Sequence, residues 1–399
     1  MRILSLTAQK ADSTGSGVFI AELVRQFHAL GHQQAVVCGV APGESVNLTE
    51  GVQVYSVSYQ TDALPFPVCG MSDEMPYLST RYKDLDEKMT GQLMAAFRDA
   101  LQRAVEEFAP DVILCHHLYF LAALAREMFP RIPVYGQCHG SDLRQLRKNP
   151  WMREWILGNI ARLDGIFALQ DQQKQTILET FGVSEETVSV MGTGYNSNVF
   201  KILKNVPRDC RKKRVVFAGK ISEKKGVMSL LRCLSDLEEP EKFSLVLAGG
   251  AGNAQEYAAI EALAAQAPCE VSFLGRLSHQ ELAFTMNSGD IFVLPSFYEG
   301  LPLVVIEAMA CGLRVVCTDL PGIRPWLDQA IPGHGVLFVA PPAMRNEDEP
   351  LPESLPAFER NLASALEAAL HAPSADQNLV RSLSWESLCR RMCAIWKSK

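Results

Sequence analysis

The chain alternates short apolar runs with longer amphipathic segments along most of its first half. RILSL (2–6) is followed by a helix-like segment from Gly17, and strand-like runs return at QAVVCGV (34–40), DVILCHH (111–117) and PVYGQCHG (133–140). Runs rich in β-branched residues that alternate with helical patterns are typical of parallel sheets with helices on both faces. This alternation therefore predicts an α/β fold.

A basic stretch, VPRDCRKKR (206–214), interrupts this alternation, which then starts again. A chain of 399 residues is also too long for one ordinary core. We therefore predict two doubly wound Rossmann-like domains that face a cleft, with the basic stretch as a solvated linker. The predicted domains are 1–204 and 205–378, and a C-terminal helix within 379–399 is predicted to cross back to the first domain.

Composition limits the function classes. The residues are 48% hydrophobic and 21% charged, as in ordinary soluble proteins, and a net charge of −7 disfavours nucleic-acid binding. No apolar run approaches the ~18 residues of a membrane span, and the N-terminal segment lacks a signal-peptide pattern. The 11 cysteines include no C-x-x-C pair, which favours free thiols in a reducing compartment and predicts a cytoplasmic protein.

Two glutamates in FYEGLPLVVIEAMACG (297–312) are the first candidate site residues. Glu299 precedes a helix-like run, and Glu307 lies eight positions later, two turns into that run. Eight helical residues span about 12 Å, whereas the carboxyls of a glycosidase pair lie about 5 to 9 Å apart. The pair therefore suits an elongated ligand with hydroxyls at both ends, such as a nucleotide sugar, because carboxylates accept hydrogen bonds from hydroxyls.

Groups that bind a diphosphate lie in the same half of the chain. Pro302 is predicted at the first turn of the helix, where the N–H groups of Leu303 and Val304 are free to bind an anion. GKISEKKG (219–226) follows a strand, so its lysines are expected at the carboxyl edge of the second sheet, where open α/β sheets bind ligands. In the first half, the GSG turn at Gly15–Gly17 allows close approach to phosphate or sugar.

Each of these signals also has an ordinary structural interpretation. Acids on helix faces, lysines in loops and a GSG turn between a strand and a helix are all common. Their joint placement after strands of a two-domain α/β chain is what favours a phosphate-bearing ligand.

The second half resembles a known family. The segments FAGKISEKKG, LAGG and VSFLGRLSHQELAFTMNSGDIFVLPSFYEGLPLVVIEAMACGLRVVCTDLPGI, with CHGSD in the first half, look like the retaining GT-B glycosyltransferases of family 4 (glycosyl transferases group 1). That family includes sucrose synthases and bacterial mannosyl- and glucosaminyltransferases. The match covers most of residues 215–325 and is thinner in the first half.

The resemblance implies roles for the matching residues. Glu307 would bind the ribose and Glu299 the transferred sugar, while Lys220 and Lys225 would neutralise the departing diphosphate and His139 would lie at the reacting sugar. The other donor-binding positions that it implies are Gly15, Gly17, Gly249, Gly250, Arg276, Leu301, Leu303 and Val304. Two positions depart from the family: Lys220 replaces the usual Arg, which removes a bidentate fork, and Lys224 replaces an acid.

The expected mechanism needs no metal and no cofactor, because lysines and a helix N-terminus stabilise the leaving diphosphate. The resemblance, not the spacing of residues, implies retention of anomeric configuration. DLD (84–86) is a charged helical stretch and is interpreted as a solvated face, not as an Asp-x-Asp metal motif.

Two further segments each have two interpretations. Cys115, His116, His117, Cys138 and His139 stand at two predicted strand ends, where packing is favoured over a metal cluster because the paired spacing of zinc sites is absent. LRQLRKNPWMREW (143–155) mixes basic and aromatic residues. It is interpreted either as a solvated helix with packed tryptophans or, together with the Pro-rich segment 61–82, as the acceptor side.

The sequence thus predicts a retaining, metal-independent hexosyltransferase that uses a nucleoside-diphosphate sugar, with UDP favoured. Its acceptor is a small molecule, a glycan or a lipid, with a small anionic acceptor such as malate as a weak indication. No nucleic-acid partner and no transmembrane segment are expected, while peripheral membrane contact and the oligomeric state stay open. The alternatives are a GT-B phosphorylase or epimerase and an inactive nucleotide-sugar-binding subunit.

Overall fold

The protein is described by a computed structural model that covers residues 1–11, 14–46, 48–72, 75–208, 211–251, 253–299, 301–345 and 349–398. The chain divides into two compact units, Met1–Gly192 with Leu388–Lys399, and Thr193–Ser387. The predicted boundary at 204/205 lies beyond this division, within the second unit. Part of the predicted basic linker, residues 209–210, lies outside the described residues.

The first unit is built on a seven-stranded parallel sheet with the order β3-β2-β1-β6-β7-β8-β9. A two-stranded parallel pair, β4 and β5, lies within the Pro-rich segment 61–82. The strands are β1 Arg2–Thr7, β2 Gln33–Val40, β3 Gln53–Ser58, β4 Cys69–Gly70, β5 Thr80–Arg81, β6 Val112–His116, β7 Val134–Gln137, β8 Gly165–Ala168 and β9 Val188–Val190.

Two helices of the first unit have an N-cap residue whose side chain accepts a hydrogen bond from the first turn. The hydroxyl of Thr14 accepts a hydrogen bond from the Gly17 N–H, and the carboxylate of Asp86 accepts one from the Met89 N–H, so each satisfies a free N–H of a first turn. The DLD stretch therefore supplies a helix cap, and its Asp84 pairs with Arg81. The helices are α1 Gly15–Ala29, α2 Glu87–Phe108, α3 Phe120–Met128, α4 Ser141–Lys148, α5 Arg153–Ile160 and α6 Asp171–Phe181.

The second unit holds a six-stranded parallel sheet with the order β12-β11-β10-β13-β14-β15. Its strands are β10 Lys213–Ala218, β11 Phe243–Ala248, β12 Glu270–Gly275, β13 Ile291–Leu294, β14 Arg314–Thr318 and β15 Leu337–Val339. Its helices are α7 Val227–Cys233, α8 Ala254–Ala264, α9 His279–Asn287, α10 Leu303–Ala310, α11 Ile323–Ala330, α12 Leu355–Ala369 and α13 Gln377–Ser382.

The last helix, α14 (Trp385–Ser398), begins in the second unit and belongs to the first unit from Leu388 onward. Cys389 and Cys393 lie on it and are buried, in keeping with a packing role. None of the helices in the described part of the chain is both long and apolar enough to span a bilayer.

In both sheets the strand order reverses beside the first strand of the unit. β1 lies between β2 and β6, and β10 lies between β11 and β13. Ligands of open α/β sheets bind at the carboxyl ends of the strands at such reversal points. The prediction of two doubly wound Rossmann-like units is confirmed. Ligand-binding residues are therefore expected in the loops that follow β1, β6, β10 and β13.

Candidate functional site

A cavity of about 970 Å³ opens at the carboxyl edge of the second sheet. It is bounded by the loops after β10, β11, β12 and β13 and by the N-terminus of α10. Ten of its lining residues are those that the sequence singled out in this half of the chain: Lys220, Lys225, Gly249, Gly250, Arg276, Glu299, Leu301, Leu303, Val304 and Glu307.

The lysine loop after β10 is held by backbone contacts. The Ile221 N–H donates to the Gly250 carbonyl at 3.1 Å, which ties this loop to the one after β11. Gly226 ends the loop with φ +70°, and a Cβ at this position would lie 2.0 Å from the carbonyl oxygen of Pro295. Only glycine fits this position, which fixes the backbone that follows Lys225.

Lys225 and Glu299 form an ion pair on the wall of the cavity. The Lys225 ammonium lies 2.7 Å from Glu299 Oε1, and the buried Ser296 hydroxyl donates to the same oxygen at 2.7 Å. Lys220 also lines the cavity but forms no hydrogen bond or ion pair with any residue that the structure describes. The wall therefore offers one cation held by a carboxylate and a second that is available to a ligand.

The helix that carries Glu307 begins later than predicted. α10 starts at Leu303 with Pro302 as its N-cap, so Glu307 is its fifth residue and lies one turn into the helix, not two. The estimate of about 12 Å between Glu299 and Glu307 assumed eight helical residues, and it does not apply because Glu299 lies outside the helix. The amides of Leu303 and Val304 still lie in the first helical turn, where N–H groups have no partner within the helix.

Arg276 and Gly250 are neighbours in the lining of the cavity. A Cβ at Gly250 would lie 2.5 Å from Arg276 Nε, so the arginine side chain rests directly on the glycine backbone. Gly249 is tied to the last residue of β12, because its N–H donates to the Gly275 carbonyl at 2.7 Å. The Arg276 side chain and the Gly249–Gly250 backbone therefore lie side by side in the lining of the cavity.

The GSG segment of the first unit is helical, not a turn ahead of the helix. Gly15 and Gly17 form the first turn of α1, and the Gly17 N–H is occupied by the hydroxyl of Thr14. A side chain at Gly15 would meet nothing within 4 Å, so its backbone is open to a neighbour. The threonine cap is the feature that the glycine pattern did not indicate.

His139 lies in a cluster of three histidines at the carboxyl ends of β6 and β7. Its Nε2 is 3.2 Å from Nδ1 of His116, and its ring centroid is 4.8 Å from that of His117. Burial lowers the pKa of His116 to about 3 and holds the pKa of His139 well below the usual histidine value. The cluster is therefore neutral at physiological pH.

Asp142 organises the backbone around this cluster. Its buried carboxylate accepts hydrogen bonds from the N–H groups of Leu118 at 2.8 Å and of His139 at 3.3 Å, so it joins the turns after β6 and β7. In the turn after β6, the backbone of His117 adopts a φ of +75°, which is an uncommon conformation for a residue other than glycine. Asp142 belongs to the HGSD motif, but the sequence did not reveal that it links two turns.

The predicted packing of the remaining His and Cys residues agrees with the structure. In the described part of the chain, no group of three or more His, Cys, Asp or Glu side chains is arranged to hold a metal ion. Burial raises the pKa of both Cys115 and Cys138, which keeps them as thiols. The metal interpretation of this cluster therefore has no support in the described residues.

The two tryptophans of residues 143–155 pack against other residues of the first unit. Trp151 Nε1 donates to Thr90 Oγ1 at 2.9 Å, and Trp155 Nε1 donates to Glu127 at 2.6 Å. Arg144 on the same segment is exposed and donates to the Ser72 hydroxyl in the Pro-rich segment 61–82 at 3.1 Å. The two candidate acceptor segments are thus in contact with each other.

Two family models match adjoining parts of the chain. Glycosyltransferase Family 4 matches residues 13–199, and Glycosyl transferases group 1 matches residues 199–346. The second match contains the whole lining of the cavity, and the first contains the histidine cluster.

Individual relatives are distant. The D-inositol 3-phosphate glycosyltransferase 2 of Catenulispora acidiphila is 26% identical over 78% of this chain and 75% of its own length. The glycogen synthase of Mycobacterium tuberculosis is 24% identical over 54% of this chain, and the match spans about half (53%) of the synthase. HepE of Anabaena, solved in complex with UDP and glucose, superposes with a TM-score of 0.60 at 15% identity and full coverage of both chains, which establishes likeness of fold.

Proposed function

Because the chain belongs to the GT-B glycosyltransferases of the group 1 and family 4 type, we propose that it moves a hexose from a nucleoside-diphosphate sugar to an acceptor hydroxyl. We further propose that the transfer retains the anomeric configuration, needs no metal and uses UDP as the nucleotide.

The observation that supports this proposal is the set of residues that line the cavity at the edge of the second sheet. It brings together two lysines, the N-terminus of α10 and two glutamates. Cations and helix N-termini bind diphosphates, and carboxylates bind hydroxyls. The cavity therefore brings together groups of the kinds that bind the diphosphate and the hydroxyls of a nucleotide sugar.

Each group has a proposed part in binding the donor. Glu307 accepts hydrogen bonds from the ribose hydroxyls, and Glu299 from hydroxyls of the transferred sugar. Lys220, Lys225 and the amides of Leu303 and Val304 bind the diphosphate, while the wall of Arg276 and Gly250 receives the base. UDP is preferred in the proposal because the structural neighbour HepE was solved with it.

The chemistry follows from where charge develops. As the bond between the sugar C1 and the diphosphate breaks, negative charge grows on the leaving oxygen, and Lys225 and Lys220 stabilise it. In the retaining course, the acceptor oxygen attacks C1 from the side that the diphosphate leaves, and its proton passes to the departing diphosphate.

The acceptor is assigned to the first unit. We propose that His139 contacts the reacting sugar, and that the segments 61–82 and 143–155, joined by Arg144 and Ser72, contribute to acceptor binding.

The test compares nucleotides and then products. Thermal-shift measurements with UDP-, GDP- and ADP-glucose are expected to give the largest stabilisation with the UDP sugar, and none of that stabilisation in a Glu307→Ala variant. Incubation with candidate acceptors is then expected to release UDP, and NMR of the product to show the anomeric configuration of the donor. Equal stabilisation of wild type and Glu307→Ala by every nucleotide sugar would overturn the assignment of the cavity, and an inverted product would overturn retention.

A further inference from the structure

The contact between His116 and His139 constrains where each ring carries its proton. Nδ1 of His116 and Nε2 of His139 are 3.2 Å apart, which is hydrogen-bond distance. His116 is 2% exposed, and its other nitrogen, Nε2, is shielded from solvent and has no hydrogen-bond partner among the described residues. His139 is half-buried, and its Nδ1, unlike Nε2 of His116, does not belong to the shielded polar atoms without a partner.

Both rings are neutral near pH 7. Burial is the main cause that lowers the pKa of each, and the neighbouring His117 lowers both further. The other groups that face the pair are the ring of Phe19, which is edge-on to both, and the Asp142 carboxylate, which is occupied by backbone N–H groups. Since each neutral imidazole carries one proton, the 3.2 Å contact holds one proton between an N–H donor and a lone pair.

Two arrangements of protons are then available. If His139 donated from Nε2, then His116 would carry its own proton on Nε2, where it would be a buried N–H without an acceptor. If His116 donates from Nδ1, its buried Nε2 is only an unused lone pair. Orphaned buried N–H groups are rarer in proteins than under-satisfied acceptors, so the second arrangement is favoured.

We propose that His116 is a positioning residue that fixes His139 as the tautomer protonated on Nδ1. His139 then presents an N–H to a ligand from Nδ1, while its Nε2 lone pair is occupied by His116. The side chain is accordingly a hydrogen-bond donor at the substrate and not a base.

The consequence for catalysis rests on the proposed function. If His139 lies at the transferred sugar, its Nδ1–H donates to a hydroxyl oxygen of that sugar and leaves the proton of the acceptor to the diphosphate. The tautomer itself is a property of the free protein, so it is measured without substrate and its failure is distinct from a failure of the proposed function.

The deciding experiment is long-range ¹H–¹⁵N NMR of the full chain labelled with ¹⁵N-histidine at pH 7, with the His139 signals assigned by their loss in a His139→Gln variant. The expected result is a protonated Nδ1 and an unprotonated Nε2 on His139, with Nδ1 of His116 also protonated. An Nε2–H form that makes up half or more of His139 would overturn the proposal.

Variants of His116 separate a role in positioning from a role in packing. The amide nitrogen of Asn reproduces the Nδ1–H donor, so His116→Asn is expected to keep the His139 tautomer and sugar transfer within a few-fold of wild type. His116→Phe keeps the ring but lacks the donor, so the Nε2–H form of His139 is expected to grow and kcat to fall at least tenfold. The same tautomer in His116→Phe as in wild type would overturn the proposal, and if that variant does not fold, the wild-type and His116→Asn spectra still decide it.

Discussion

The Lys225 ammonium lies 2.7 Å from the carboxylate of Glu299, so two residues proposed for different parts of one ligand form an ion pair with each other. Their side chains are 28% and 17% exposed. A diphosphate bound in the cavity would give Lys225 a second anionic partner beside Glu299. The pair therefore holds the Lys225 ammonium at the cavity wall, where the proposed diphosphate would bind.

Removal of Lys225 is expected to slow the chemical step. In Lys225→Ala, kcat should fall by about 100-fold, the typical effect of losing one group that stabilises developing negative charge. Steady-state kinetics with the UDP sugar measures it. Lys224→Ala is the matched control, because this neighbour does not line the cavity and should keep near-normal kcat. A Lys225→Ala enzyme with wild-type turnover would show that the leaving group is stabilised elsewhere.

Loss of the charge on Glu307 is expected to weaken nucleotide binding while leaving the helix intact. A hydrogen bond to a charged group contributes about 1.5–3 kcal/mol, so Glu307→Gln should raise the Kd for UDP by roughly 10- to 100-fold. Isothermal titration calorimetry gives the value directly. Glu261→Gln, on the exposed face of α8, serves as control and should bind UDP as wild type does. Unchanged affinity in Glu307→Gln would remove the ribose assignment.

Chelation is expected to leave transfer unaffected. Lys220, Lys225 and the N-terminus of α10 line one cavity, and together they supply positive charge of the kind that a divalent ion would otherwise bring to a leaving diphosphate. Activity after treatment with EDTA and removal of the chelator, with and without added Mg²⁺ or Mn²⁺, should be the same. Activity that disappears with EDTA and returns with one of these ions would contradict the metal-free mechanism.

The fold was predictable from the sequence because the pattern of apolar residues that marks each strand is local in the chain. Buried parallel strands such as β1 and β11 are apolar along most of their length, and a residue in the loop that follows such a strand comes to the same carboxyl edge. The place of Lys220, Lys225, Glu299 and Glu307 at this edge therefore followed from the order of the motifs, whereas Gly249, Gly250 and Arg276 were expected only from the family resemblance. The edge strand β3, where exposed and buried residues mix, has a weaker pattern and was not identified.

The pattern of apolar and polar residues does not predict contacts between side chains that are far apart along the chain. Lys225 and Glu299 are 74 positions apart, and Asp142 reaches the Leu118 amide over 24 positions. Such pairs depend on how loops fold at the sheet edge, which periodicity does not describe. The first turn of α1 was missed for a different reason: glycines favour turns, but the hydroxyl of Thr14 caps this helix at Gly15.

Two glycines are expected to respond to alanine in opposite directions. Gly226 has φ +70° and no room for a Cβ beside the Pro295 carbonyl, so Gly226→Ala should destabilise the second unit by more than about 2 kcal/mol. Gly91 lies on the exposed face of α2 with nothing within 4 Å, so Gly91→Ala should stabilise the first unit by about 0.5–1 kcal/mol. Thermal melts of both variants provide the comparison. A neutral Gly226→Ala would mean that the lysine loop does not need its present backbone.

Stability is expected to fall as the pH drops from 7 to 5 because the histidine cluster is buried uncharged. Burial lowers the pKa of His116 from 6.5 to about 3, so between these values the unfolded chain binds a proton that the folded chain does not, and stability rises with pH across that window. The lowered pKa of this residue alone should reduce the free energy of unfolding by about 2 kcal/mol between pH 7 and pH 5, and the pKa of His117 and of His139 is shifted in the same direction.

Urea unfolding at pH 7 and at pH 5 measures this difference in the free energy of unfolding. His116→Asn should reduce it by about the same amount, whereas a substitution of the exposed His28 by Asn should leave it unchanged. An equal pH dependence in wild type and His116→Asn would mean that His116 takes up its proton over the same pH range in the folded and the unfolded protein.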